Sequence, residues 1–162
     1  DRVAEVLVAF DPEGEEGYRE RHKATVARLE TLHAWVKHEI ARIPAERRVL
    51  VTAHDAFRYF GRAYGIEVRG IQGISTESEA GLNEINDLVD FLVQRGIKAV
   101  FVESSVSSRN IQAIREGCQA RGHTVLLGGE LFSDAMGPAD RPEGTYEGMV
   151  KHNVRTIVEA LR

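Results

Sequence analysis

The chain has 162 residues, a hydrophobic content of 43% and a formal net charge of −4, which is typical of one globular domain with a sizeable core. The negative charge and the lack of any Lys/Arg run argue against a nucleic-acid partner, and the apolar runs are too short to span a bilayer. A single cysteine, Cys118, excludes a disulfide within the chain.

The first residues have the pattern of a helix that continues from something longer. The chain lacks an initiator Met and opens within an apolar pattern that includes Val3, Val6, Leu7 and Phe10. We therefore interpret it as a fragment. No signal segment precedes the pattern, and in a fragment this says nothing about the compartment.

A long amphipathic helix is predicted next, from about Glu15 to Ile43. Asp11-Pro12-Glu13-Gly14 breaks the opening segment, and Pro44 stops the helix. Its apolar positions recur every three or four residues, at Val26, Leu29, Leu32, Val36, Ile40 and Ile43. At 1.5 Å per residue the helix would be roughly 40 Å long, more than is needed to cover a small sheet.

Strands and helices alternate along the rest of the chain. We predict strands at 47–52, 67–74, 99–102 and 124–127, and helices at 56–64, 79–94, 108–120 and 146–161. Alternation at this rhythm predicts an α/β fold, a four-stranded parallel sheet with helices on both faces, preceded by the long helix.

Polar residues gather where the predicted strands end. In open α/β sheets, ligands bind in the crevice outside the carboxyl ends of the strands. That edge would carry His54 with Asp55 after the first strand, and Glu103 after the third. The segment after the fourth strand leads to Asp134. The remaining polar residues at this edge are Ser75, Thr76, Glu77, Ser104, Ser105 and Ser133.

Each of these residues also has a structural interpretation. His54 and Asp134 are candidate ligands or catalytic groups, but either could cap the following segment. For Glu103 we expect a supporting role, accepting backbone N–H bonds or pairing with a base such as Arg109. Thr76, Ser78 and Ser107 are predicted helix caps. The other histidines, His22, His33, His38, His123 and His152, are interpreted as surface or structural residues.

Several enzyme classes are excluded because their motifs are missing. The chain has no P-loop, no Gly-x-Gly-x-x-Gly after a strand and no Gly-x-Ser-x-Gly. A hydrolytic metal centre needs three protein ligands and an open position. His54 with one or two carboxylates would provide only half of such a site.

Ordered motifs give the chain a family resemblance. Val-Thr-Ala-His-Asp-Ala-Phe begins at residue 51, Gly-Ile-Ser-Thr-Glu-Ser-Glu at 73, Val-Phe-Val-Glu-Ser-Ser-Val at 100 and Leu-Phe-Ser-Asp-Ala-Met-Gly at 131. With the Asp-Pro-Glu before the long helix and the Ile-Pro-Ala-Glu-Arg-Arg after it, the order resembles the solute-binding proteins of bacterial zinc/manganese ABC transporters, the TroA-like family. The resemblance covers essentially the whole chain.

The resemblance implies an organisation and a function. Residues 1–12 would be the end of a truncated N-terminal lobe, 13–44 the interlobe linker helix and 45–162 the C-terminal metal-binding lobe. His54 and Asp134 would be metal ligands with Glu103 supporting them, and the missing lobe would supply two further histidines. The cargo would be Mn, Zn or Fe without an organic cofactor. The protein would act outside the bacterial cytoplasm, periplasmic or membrane-anchored, with an ABC permease and without catalysis.

Two alternatives stay open at this point. One is a metal-dependent α/β hydrolase that uses His54 with Asp134 or Glu103. The other is an interaction module whose long helix docks a partner. We also expect apolar surface around the opening helix, which would allow the fragment to self-associate.

Overall fold

The structure is a computed structural model that describes residues 1–72, 81–104 and 109–162. Its contacts divide the chain into two compact units, Asp1–Lys37 and His38–Arg162. Among the described residues, no helix combines the length and the apolar character that a membrane crossing requires.

The first unit consists of helices and ends within the second of them, at Lys37. Helix α1 (Arg2–Phe10) has no buried residue, and the short 3-10 helix Pro12–Gly14 connects it to α2 (Glu15–Ala41). The hydroxyl of Tyr18 donates a 2.9 Å hydrogen bond to Oδ2 of Asp11 and so links α2 to the residue that follows α1. The predicted apolar stripe of α2 is buried only in its second half, since Leu29 is exposed while Leu32 is buried.

Four strands and four helices alternate in the second unit, after the short 3-10 helix Ala45–Arg47. The strands are β1 (Val49–His54), β2 (Glu67–Gln72), β3 (Ala99–Glu103) and β4 (Leu126–Leu131). The helices are α3 (Arg58–Tyr64), α4 (Leu82–Arg95), α5 (Arg109–Ala120) and α6 (Tyr146–Leu161). Two of them end at glycines in the left-handed conformation, α3 at Gly65 and α4 at Gly96.

The strands pair in parallel, which confirms the α/β prediction. β1 pairs with β2, with His54 opposite Gln72, and β3 pairs with β4, with Glu103 opposite Leu131. The hydrogen-bonded ladders form two two-stranded sheets in place of the single continuous sheet that we predicted. β1 and β3 nevertheless lie side by side, and a side chain of β3 rather than its backbone bonds the end of β1.

Helices cover both faces of the strands. Val49, Val51 and Val100 point toward the core formed with α4 and α5, which also contains Ile111 and Ile114. Helix α6 packs on the opposite face. There the space beside Gly128 is filled by the ring of Phe101 and by Cβ of Ala160, a residue of α6. Because side chains alternate along a strand, His54 and Glu103 share the face of Phe101.

Some predicted elements extend beyond the described residues. The end of the second predicted strand, the start of the following helix and the first residue of the 108–120 helix fall within 73–80 and 105–108, which lie outside the described residues. The predicted caps Thr76, Ser78 and Ser107 and the strand-end residues Ser75, Glu77 and Ser105 lie there too.

Candidate metal site

His54 is the last residue of β1, and both its backbone N–H and its carbonyl form hydrogen bonds. Its N–H donates to Oε1 of Glu103 at 2.9 Å. Its carbonyl accepts the Thr52 hydroxyl at 2.8 Å and the Ala56 N–H at 3.1 Å. We predicted that the strand would end at residue 52, but its ladder continues to His54. The imidazole is therefore held by a strand and not by a loop.

Glu103 contacts the His54 ring as well as its backbone. Oε2 of Glu103 lies 2.7 Å from Nδ1 of His54, and both side chains are almost completely buried. The two atoms do not form a regular hydrogen bond, and neither has another hydrogen-bond partner among the described residues. A buried carboxylate at this distance favours a proton on Nδ1, which leaves the lone pair of the neutral ring on Nε2.

Asp134 faces the other nitrogen of the ring. Its Oδ2 lies 3.5 Å from Nε2 of His54. The His54 side chain is 4% exposed and the Asp134 side chain 57% exposed, so the pair lies at the boundary between the interior and solvent. The sequence placed these residues 80 positions apart, and the structure brings them together at the carboxyl edge of the strands.

This geometry suits a cation between the two side chains. With the proton on Nδ1, Nε2 and Oδ2 are both acceptors, and two acceptors attract each other only through a cation or a proton. Two ligand atoms about 2.1 Å from a tetrahedral ion lie about 3.4 Å from each other, close to the observed separation. Imidazole with carboxylate suits a first-row divalent metal, and ligating histidines commonly donate their second N–H to a carboxylate, as His54 would to Glu103.

Among the described residues, no third His, Cys, Asp or Glu side chain joins this pair as a metal ligand. Within 1–72, 81–104 and 109–162, no group of three or more His, Cys, Asp or Glu side chains has the arrangement to hold a metal ion. Nε2 of His123 donates to the carbonyl of Ile97 at 2.6 Å. His33 and His38 are exposed on α2, as expected. Asp55, next to His54, is paired with Arg58.

Strand β4 extends further than predicted and brings Asp134 to the edge. Three residues of β3, Val100 to Val102, lie opposite four of β4, Leu127 to Glu130, so β4 contains a bulge. We predicted that the fourth strand ends at residue 127, but Gly128 and Gly129 lie within it, and Gly129 adopts a φ of 131°. The strand therefore continues to Leu131.

Asn153 contacts the chain beside this site and was missed in the sequence analysis. It is a buried residue of α6 whose side chain bonds both backbone groups of Phe132. The available signal was its position between Met149, Val150 and Val154 on the apolar face of the predicted helix, where a polar side chain needs a buried partner.

Comparisons with known proteins agree with this fold. The model of the family described as zinc-uptake complex component A, periplasmic, matches residues 1–160. The zinc-binding protein TroA of Treponema pallidum is 52% identical over 159 residues, which are 98% of this chain and 52% of that protein. The manganese-binding lipoprotein MntA of Bacillus subtilis is 52% identical over 151 residues, which are 93% of this chain and 49% of that protein.

A solved structure gives the same result. The structure of the periplasmic zinc-binding protein TroA from Treponema pallidum matches with a TM-score of 0.94 and 52% identity, covering 99% of this chain and 58% of that one. The chain thus spans about half the length of the curated relatives it matches. The chain belongs to the family of periplasmic A components of zinc-uptake complexes.

Proposed function

We propose that this chain supplies half of a metal-capturing site in a solute-binding protein that delivers a divalent transition metal to an ABC permease. His54 Nε2 and Asp134 Oδ2 would be its two ligands. The observation that carries the proposal is their 3.5 Å separation, with Glu103 at the opposite nitrogen of the ring. The metal is the transported substrate, and the chain performs no chemical reaction on it.

The ligand chemistry limits the cargo to a class. A nitrogen and an oxygen ligand suit Zn²⁺, Mn²⁺ and Fe²⁺, and at a plain N/O site the intrinsic affinity order favours zinc over manganese. The two relatives described above are named for zinc and for manganese. Selectivity would therefore depend on the ligands that complete the site.

Two ligands are too few for tight capture, so we infer that a second lobe completes the site. Two further histidines from that lobe, with His54 and Asp134, would give the four ligands that zinc commonly takes. The family description, a periplasmic component of an uptake complex, supports a partner in the membrane and a location outside the cytoplasm. It gives the hydrolase alternative no support.

Metal titration of the full-length protein that contains this chain tests the proposal. His54→Ala and Asp134→Ala should each lower the affinity for Zn²⁺ and Mn²⁺ by at least about tenfold, because each removes a ligand. His123→Ala and Asp140→Ala are the matched controls. His123 bonds the Ile97 carbonyl before β3, and Asp140 is exposed in a loop, so both should leave the affinity unchanged. Equal affinities in all four variants and the wild type would refute the ligand assignment.

A further inference from the structure

We infer that Asn153 is a positioning residue that holds the backbone of Phe132 and thereby fixes Asp134 opposite His54. This inference rests on the proposed function, because it assigns Asn153 a part in the metal affinity. Among the described residues, the Asn153 side chain forms its two hydrogen bonds with the backbone of Phe132, so it would act through the segment that carries Asp134.

The side chain of Asn153 bonds the chain like a neighbouring strand. Its Oδ1 accepts the N–H of Phe132 at 2.9 Å, and its Nδ2 donates to the carbonyl of the same residue at 2.7 Å. An amide pairing with both groups of one residue reproduces the two bonds of a β-ladder. Because β4 ends at Leu131, Asn153 extends the ordered backbone past the strand, toward Asp134.

His152, the residue before Asn153, supports the same segment. Its Nε2 donates to the carbonyl of Glu130 at 3.0 Å, and its ring packs edge-on against Phe132 at 5.1 Å between centroids. Both residues belong to α6, whose start is capped by the Thr145 hydroxyl accepting the Gly148 N–H. The backbone from Glu130 to Phe132 is thus bound to a capped helix.

The chain is also held on the far side of Asp134. The N–H of Gly137 donates to the carbonyl of Glu143 at 2.9 Å and closes the loop that leads back to α6. Asp134 therefore lies in a four-residue span, 133–136, between two hydrogen-bonded points. A short span with fixed ends loses little conformational entropy when its carboxylate binds, so the fixed ends favour metal binding.

Two substitutions separate the two bonds of Asn153. Asn153→Leu removes both bonds with an apolar side chain of similar size, and Asn153→Asp keeps the acceptor for the Phe132 N–H but loses the donor. Val158→Ala is the matched control, because it removes buried volume from α6 one turn beyond the contact with Phe132. Asn153→Asp also serves if the Leu variant does not fold.

The first measurement is backbone amide exchange of residues 132–136 in the metal-free protein. Loss of the Asn153 bonds should speed this exchange about tenfold, and more in Asn153→Leu than in Asn153→Asp. Val158→Ala should leave the exchange near the wild-type rate when the proteins are compared under conditions of equal global stability. Unchanged exchange in both Asn153 variants would overturn the inference, whatever the metal affinities are.

The second measurement is Zn²⁺ affinity of the full-length protein in a double-mutant cycle. Asn153→Leu should lower the affinity about tenfold in the wild type and have no further effect when Asp134 is already alanine. An equal loss in both backgrounds would overturn the inference. If Asp134→Ala alone left the affinity unchanged while the amide exchange still accelerated, the ligand assignment of the proposed function would fail and the positioning of residues 132–136 by Asn153 would stand.

Discussion

Glu103 makes two separate contacts with His54, one to the backbone and one to the ring. Oε1 accepts the backbone N–H at 2.9 Å, while Oε2 lies 2.7 Å from Nδ1. One buried carboxylate thus holds the end of β1 and favours a proton on Nδ1 of the ring. It also links β3 to the end of β1, between which no backbone ladder forms.

Glu103→Gln should weaken metal binding while the fold is kept. The amide oxygen can still accept the His54 N–H, but the amide NH₂ would then face Nδ1 and favour the tautomer that carries its proton on Nε2. In that tautomer Nε2, the nitrogen that faces Asp134, has no lone pair to donate to the metal. We therefore expect the metal affinity to fall about 10- to 100-fold. Calorimetric titration of the full-length protein measures it.

The control for this variant is Glu116→Gln on α5. Glu116 is exposed and its Oε1 accepts a hydrogen bond from Gln112, away from the candidate site, so the metal affinity of this variant should match that of the wild type. If Glu103→Gln also bound metal with wild-type affinity, the role assigned to the Glu103 carboxylate would be wrong.

The alternation of elements could be predicted because it is local. Apolar runs such as 99–102, and glycines such as Gly65 and Gly96 after helices, depend on neighbours in sequence. The approach of His54 to Glu103 could be expected only in outline, since parallel strands bring their carboxyl ends to one edge. The two contacts of Glu103 with His54 depend on how β1 lies beside β3, and no local pattern encodes that.

The end of β4 was missed for a different reason. Two consecutive glycines are typical of a loop, and sequence patterns do not distinguish a loop from a bulge. Here small residues are required because Phe101 and Thr156 leave no room for side chains at Gly128 and Gly129. That crowding comes from β3 and α6, which are distant in sequence.

The isolated 162-residue chain should self-associate through α1. Val3, Val6, Leu7 and Phe10 follow helical spacing along one stripe, and all four are exposed, Phe10 at 88%. Contiguous apolar surface of this kind favours association. Sedimentation velocity over a range of concentrations should show a shift to larger species, which Val6→Glu or Phe10→Glu should reduce.

Leu126→Glu provides the comparison for α1. Leu126 is also an exposed apolar residue, but it lies on β4. If this substitution dispersed the larger species while the α1 variants did not, association through α1 would be refuted. Monomers at every concentration would contradict the prediction altogether.

Cys118 should make stability fall at alkaline pH. Its side chain is fully buried, and burial raises the pKa of the thiol above its ordinary value of about 8.5. Above that value the unfolded chain releases the proton while the folded chain keeps it, so the free energy of unfolding decreases as pH rises. One proton limits the loss between pH 8.5 and 9.5 to about 1 kcal/mol.

Urea denaturation at several pH values checks this, with Cys118→Ala as the control. The Cys118→Ala control should be less stable overall, but its free energy of unfolding should not show the decrease with pH that the thiol causes. The series stays below pH 9.5, because burial also raises the pKa of Tyr64 from 10.0. Equal slopes in both proteins would exclude the thiol as the cause.

Gly129→Ala should destabilise the protein through two separate causes. The φ of 131° is a conformation that residues with a side chain rarely adopt, and the added Cβ would lie 2.5 Å from Cγ2 of Thr156. Backbone strain and the clash together should cost about 2–4 kcal/mol in the free energy of unfolding. Thr156→Ala removes the methyl that causes the clash, so Gly129→Ala should cost less in that background.

Gly65→Ala separates the strain from the clash. Gly65 has a φ of 70°, but nothing lies within 4 Å of the Cβ that an alanine would add. Its cost should be the left-handed conformation alone, about 1–2 kcal/mol, and the Thr156→Ala background should not change it. Urea unfolding of the single and double variants measures all of these terms. Gly129→Ala costing the same with and without Thr156 would show that β4 moves away from α6 at no cost, and the bulge would then not be held by that contact.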